Sequence, residues 1–189
     1  DDAIAPSYLE KLVSLADSLD LDIAFCSAWR FIRTPGDMTD ANLLIHPKPQ
    51  GVVPGKEWLE RTVADKEWFA VVWASLFRSG FIEDHNFRFA EGALASEDVL
   101  WGVALQPRAK RVAFTPETTY YYRNTPGSII NDNSTKGKIK RIRGNTSVVE
   151  ELLSMSDSES SPLAESFRAL ALENGRLLLG EVAELPSLK

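Results

Sequence analysis

The chain has 189 residues, 44% of them hydrophobic, one cysteine and a formal net charge of -6. That is enough apolar material for one substantial core with an appended helical piece. The acidic balance argues against general affinity for nucleic acid, because phosphate binding needs a basic surface. Cys26 is alone, so no internal disulfide forms, and a reducing, cytoplasmic compartment is the expectation. No apolar run approaches the ~18 residues of a membrane helix. The first residues lack the basic region and apolar stretch of a signal peptide. The opening DDAIAPSYLEKL is expected to be the middle of a longer chain.

Pro6 is placed to open a helix, since its missing N–H costs nothing in a first turn. Behind it, Tyr8, Leu9, Leu12, Val13, Leu15, Ala16 and Leu19 recur at helical spacing. Residues 21–32 (LDIAFCSAWRFI) change period, and Ile23 and Phe25 predict a partly buried strand. The stretch 33–55, rich in Pro, Gly and Asp, predicts a long loop with room for a short hairpin. Trp58, Leu59, Val63, Trp68, Phe69, Val72 and Leu76 predict one or two helices between Lys56 and Leu76, broken near Asp65. Residues 81–92 read as a short helix end and a loop, and 97–106 as a helix stopped by Pro107. Over 110–124, Val112 and Phe114 alternate before a turn at Pro116 and a Tyr-rich strand. A turn at TPGS, a polar, basic loop over 131–145 and a helix around 146–155 follow, then a Ser/Asp-rich linker and a last helix from Leu163 to Glu184. About three convincing strands are too few for a full α/β sheet of ordinary size.

Several side chains could carry chemistry. Glu97 and Asp98 follow Ser96 and run straight into Val99, Leu100 and Trp101. The free N–H groups and dipole of a first helical turn favour an anion at Asp98, and Ser96 suits an N-cap. A carboxylate held ionised there can take a proton from a hydroxyl that reaches it, yet acids in first turns are commonplace without any such role. Asp1 and Asp2 read equally as helix caps or as hard oxygen ligands for Mg²⁺ or Mn²⁺. Arg123 and Ser128, in YRNTPGSI, suit the phosphate oxyanions of a donor or a solvated strand end. Arg78 reads as structural. His46 and His85 lack ligand spacing and read as surface or packed imidazoles. Lys136, Lys138, Lys140, Arg141 and Arg143 crowd into residues 136–143, which suits anionic lipid headgroups at a membrane face, a phosphorylated acceptor, or plain solvent. The five tryptophans (Trp29, Trp58, Trp68, Trp73 and Trp101) read mostly as core, with one or two free to stack on a sugar ring.

The order of these features resembles family-two glycosyltransferases of the GT-A fold, of the bacterial type that builds surface polysaccharide or lipopolysaccharide. DDAIAPSYLEKL is similar to the segment at that family's Asp-x-Asp-Asp run, and WASLFRSGFIEDHNFRFAEG to the stretch ahead of its acceptor site. SEDVLW resembles its Glu-Asp motif, and AKRVAFTPETTYYYRNTPGSI its strand, aromatic run and Arg-x-x-x-Gly-Ser turn. The resemblance covers roughly residues 1 to 150. It implies that Asp1 and Asp2 match the last aspartate of the metal pair and its neighbour, binding Mg²⁺ or Mn²⁺ against the diphosphate of a nucleotide sugar. Asp98 would match the catalytic base and Glu97 an orienting neighbour, with transfer by single displacement and inversion. The first aspartate of the metal pair and the nucleotide-binding βαβ half are expected upstream of Asp1. Gln-x-x-Arg-Trp, the motif of processive synthases, is absent from the sequence, and Ser96 stands where relatives often carry His.

The expected fold class is therefore α/β, the acceptor-side portion of a Rossmann-like GT-A fold, with a mixed sheet, flanking helices and a helical tail. Residues 1–145 are expected to belong to the transferase domain and 146–189 to a helical extension. The expected partners are a UDP-sugar donor and a saccharide or lipid-linked glycan acceptor, with no nucleic acid. Self-association at an exposed sheet edge is a further expectation. A non-catalytic protein- or lipid-interaction domain is the alternative, and a two-carboxylate hydrolase a third reading.

Overall fold

The computed structural model describes residues 2–35, 42–45, 51–70, 72–89, 96–160 and 162–185. It divides into two compact units, Asp1–Phe87 with Ala104–Thr125, and Arg88–Val103 with Pro126–Lys189.

The first unit is built on a mixed sheet of β1 (Ala3–Ile4), β2 (Ile23–Phe31), β3 (Asn42–Ile45), β4 (Ser75–Phe77) and β5 (Val112–Arg123). β2 lies at its centre. It runs parallel to β5, and its other edge is shared by antiparallel β4 against Ile23–Phe25 and β3 against Ala28–Arg30. β1 closes the order by pairing antiparallel with β5 at Tyr120 and Tyr121. This central placement explains why Ile23 through Ala28 are all buried, with no polar alternation: both faces of the strand are covered. Ser27, the hydroxyl within that run, donates to the Ile45 carbonyl.

Among the described residues of this unit, α1 (Tyr8–Ser18), α2 (Gly55–Ala64) and α3 (Ser79–Asp84) accompany the sheet. α1 follows Pro6 as expected and buries Tyr8 and Leu12, while Leu9 and Val13 face outward. α2 buries Gly55, Trp58, Leu59 and Thr62, one stripe at helical spacing. Gly55 is required there, because a Cβ would run into the main chain of Gln106. Trp58 stacks on Phe25 with centroids 5.3 Å apart, the largest side chain wholly inside the core.

Two expectations fail in this unit. α2 does end at the expected break, at Ala64 with Lys66 at φ +59°, but among the described residues no second helix follows before β4. The aromatics between α2 and β4 are spent on separate tertiary partners, Trp68 Nε1 donating to Gln106 Oε1 at 2.9 Å and Phe69 meeting Phe25 edge-on. Nor does Pro116 make a turn. β5 continues past it, and the register with β2 jumps from Cys26–Thr115 to Ser27–Thr118, leaving Pro116 and Glu117 in a bulge. A bulge is where a strand tolerates a residue without an N–H.

The second unit holds most of α4 (Glu97–Leu105) together with α5 (Thr135–Ser158) and α6 (Leu163–Ala183). The basic stretch expected to be a loop is the first three turns of α5, and the expected boundary at 145/146 falls inside that helix. Ser134 caps it, its Oγ accepting the Gly137 N–H at 3.1 Å. Gly137, Asn145, Val148, Leu152 and Ser156 form the buried stripe. α6 answers with Leu163, Ala164, Phe167, Leu170, Ala171 and Asn174. The small and polar members of this seam hid its helical period.

Candidate active site

Asp2 precedes β1, and the pairing of β1 with β5 brings its carboxylate against that strand. Oδ2 accepts the Tyr120 hydroxyl at 2.7 Å, and Oδ1 accepts the Arg123 main-chain N–H at 2.9 Å. Asp2 and Arg123 thus meet in the first unit, through the backbone of the arginine. The Arg123 guanidinium lies over the Phe31 ring, 5.9 Å from its centroid. The Tyr120 ring is held between Trp73 at 4.6 Å and the edge of Tyr8 at 5.9 Å. Trp73 also stacks on Tyr122 at 5.2 Å, as strand periodicity allows for residues two apart.

The electrostatics follow from burial. Burial, with Cys26 adding to it, pushes the Tyr8 phenol up to about 12, and its hydroxyl donates to the Trp73 carbonyl at 2.8 Å. Burial and then the bond to Asp2 raise the Tyr120 phenol as well. Both phenols therefore stay protonated donors at neutral pH. Sequence reasoning missed Tyr120 and Trp73 as neighbours of Asp2. The available signal was the alternation in TYYYR, which puts Tyr120 and Tyr122 on one face.

The described residues do not by themselves make a divalent-cation site. Among them, no three His, Cys, Asp or Glu side chains come together. Both oxygens of Asp2 already accept protein hydrogen bonds, and Asp1 lies outside the described residues. His46 also lies outside them. His85 is a surface imidazole, its Nδ1 2.9 Å from the Phe81 carbonyl and its ring beside Phe81 and Phe87. Arg78 is structural, binding the Leu21 carbonyl and Asp20.

Asp98, Glu97 and Ser128 belong to the second unit. Asp98 is at the second position of α4, half-buried, with Oδ1 accepting the Val99 N–H at 2.9 Å. Burial raises its carboxyl above the usual carboxylate range, the Val99 bond opposes this, and the neighbouring Glu97 charge adds to it. Glu97 is exposed. A raised carboxylate is a stronger base than an ordinary one, which suits proton abstraction from a hydroxyl.

Ser96 departs from the expected cap. Its φ is +62°, in the left-handed region, and its Oγ donates to Asn145 Oδ1 of α5 at 2.9 Å. The usual capping serine has extended backbone; here the residue anchors the entry to α4 instead. Ser128 stabilises its own turn, its carbonyl and Oγ both accepting from Asn131. Of the basic run, Arg141 forks onto Glu181 at 2.6 and 2.9 Å and Lys138 pairs with Glu184 at 2.7 Å. These two cations are therefore structural. No helix among the described residues is long and apolar enough to cross a membrane.

No protein-family model matches the chain. Over 122 residues, 65% of its length, it is 30% identical to the uncharacterized glycosyltransferase YibD of Escherichia coli strain K12, and it spans 35% of that relative. In three dimensions it is similar to residues 1–349 of S. aureus TarS in complex with UDP-GlcNAc, with a TM-score of 0.51 at 14% identity. That match covers 79% of this chain and 40% of the TarS chain. The chain thus spans little more than a third of the curated relative. By sequence it is similar to a glycosyltransferase, and its mixed α/β fold is that of part of a protein solved with a nucleotide sugar.

Proposed function

We propose that this chain is the acceptor-side part of a GT-A glycosyltransferase of family two. The enzyme moves a sugar from a UDP-sugar to a hydroxyl of a saccharide or lipid-linked glycan during assembly of a bacterial surface glycan. The observation that carries the reading is the 30% identity to a glycosyltransferase over 122 residues. The fold shared with TarS supports it, and so does a half-buried carboxylate at the start of α4 whose environment strengthens it as a base.

In this reading Asp98 takes the proton of the acceptor hydroxyl, and the resulting oxygen attacks the anomeric carbon. The bond from that carbon to the diphosphate breaks, UDP leaves with the bonding pair, and the configuration inverts. Glu97 orients its neighbour. Arg123 and Ser128 hold donor phosphate oxygens. Asp1 and Asp2 are the proposed ligands for Mg²⁺ or Mn²⁺, an ion that would offset the charge growing on the leaving diphosphate. Tyr120 and the Arg123 backbone fix the plane of the Asp2 carboxylate.

The test is a transfer assay with the full-length protein and UDP-GlcNAc, paired with calorimetric donor binding. Asp98→Asn is expected to lower turnover by about 10²–10⁴-fold with donor affinity preserved. Unimpaired turnover in that variant overturns the base assignment. Failure of UDP and UDP-GlcNAc to bind overturns the transferase reading and favours a non-catalytic interaction domain.

A further inference from the structure

The helical form of residues 135–158 sorts the basic run into two groups that the sequence shows as one. Lys138 and Arg141 turn toward α6 and are paired with Glu184 and Glu181. Lys136, Ile139, Lys140 and Arg143 follow i, i+3, i+4, i+7 spacing and so share the opposite, outer stripe of α5. Lys136 and Arg143 are exposed and Lys140 partly so. None of these three cations is in an ion pair among the described residues.

Three features point past plain solvation. Cations in the first turns oppose the helix dipole; the first turn itself holds no acid, and Asp132, just ahead of the Ser134 cap, is the carboxylate that Arg141 and Lys136 face. The stripe is confined to that end, for the outer face continues as Ser147, Glu150, Glu151, Ser154 and Asp157. Apolar side chains are interleaved and exposed: Ile139 is 39% accessible, and Ile129 and Ile130, in the turn ahead of the helix, 49% and 69%. That turn is fixed to α5, because Arg141 donates to the carbonyls of Ile129 and Asp132 at 2.9 and 2.7 Å.

We propose that the first turns of α5 and the Ile129–Ile130 turn form a docking surface for an anionic phospholipid bilayer. Lys136, Lys140 and Arg143 meet the headgroup phosphates, and the isoleucines enter the interface between headgroups and acyl chains. Charge complementarity selects an anionic partner, since this basic patch belongs to a chain of net charge -6. The isoleucines select a bilayer over a nucleic acid or a soluble polyanion, which would leave them in water. The proposal is independent of the transferase reading, and its failure would leave that reading intact.

The experiment is cosedimentation of the 189-residue chain with vesicles of phosphatidylcholine with and without phosphatidylglycerol, alongside binding of a single-stranded oligonucleotide. The chain should bind the anionic vesicles only, and less as salt is raised. Each cation removed should weaken binding about five-fold, so Lys136→Gln, Lys140→Gln and Arg143→Gln together should weaken it about a hundred-fold. The melting temperature of that variant should be unchanged or higher, because the helix dipole is relieved; a structural role for these side chains would lower it. Ile129→Ser with Ile130→Ser should weaken vesicle binding with the cations intact. The proposal fails if the parent chain ignores anionic vesicles, or if the triple variant binds them as the parent does. Oligonucleotide binding that exceeds vesicle binding and ignores the isoleucine changes also overturns it.

Discussion

Arg141→Met keeps the aliphatic stem of the side chain and removes its guanidinium, so it isolates what that group contributes to the helical hairpin of α5 and α6. The wild-type group makes four N–H···O bonds, two to Glu181 and one each to the Ile129 and Asp132 carbonyls. The side chains of Arg141 and Glu181 are 12% and 22% exposed. A hydrogen bond to a charged group contributes about 1.5–3 kcal/mol, and breaking a buried ion pair costs about 3–5 kcal/mol. Water still reaches Glu181 and screens the pair, which lowers the expected loss to about 2–3 kcal/mol. Urea unfolding followed by far-ultraviolet circular dichroism measures it. The pH dependence supplies a second signature. Hydrogen bonding and then charge from Arg141 hold the Glu181 carboxyl below the usual range. Its contribution is therefore present above the unfolded value of about 4.3 and is lost as pH falls through the lower folded value. The gap between wild type and variant must close across that acid window. A loss under about 0.5 kcal/mol, or a gap that ignores acid, refutes the reasoning.

Asp98 titrates with the opposite sign. Its folded-state carboxyl lies above the usual range, so its contribution is complete below the unfolded value of about 3.9 and is lost as pH rises through the folded one. Asp98→Asn should therefore melt higher than the parent at neutral pH, with the difference shrinking toward acid; scanning calorimetry across pH that finds the variant less stable at neutrality contradicts this. Tyr120→Phe deletes only the hydroxyl that Asp2 accepts and should cost about 1 kcal/mol at this solvent-accessible carboxylate. A double-mutant cycle with Asp2→Asn should return most of that cost as coupling, and strictly additive losses would dissolve the pair.

Where a segment's period matches its final environment, the fold is legible in the sequence. β2 reads as a strand because Ile23 to Cys26 stay apolar at the centre of a sheet, and α1 begins behind Pro6 as its chemistry requires. The misreadings share a cause, which is tertiary demand overriding local pattern. Trp68 and Phe69 look like part of a helical face, yet each packs in its own direction. The start of α5 looks like a solvated loop because glycine and asparagine, Gly137 and Asn145, occupy its buried seam. At the candidate site, Asp98 was visible as an acid at a helix start. Its raised basicity was not, since that comes first from burial, which local pattern does not report. Tyr120 escaped notice because nothing local marks a phenol as the partner of a carboxylate more than a hundred positions away.

The bond from Ser96 to Asn145 gives the C-terminal hairpin a second office. A serine in left-handed backbone is an uncomfortable entrance to a helix, and it holds that shape because α5 grips its hydroxyl. Trimming the chain ahead of Asn145 would free that entrance and let the carboxylate two residues later drift. Whatever steadies or tilts α5 has a lever on position 98, so a segment that looks like a dispensable tail is also the rudder of the proposed base.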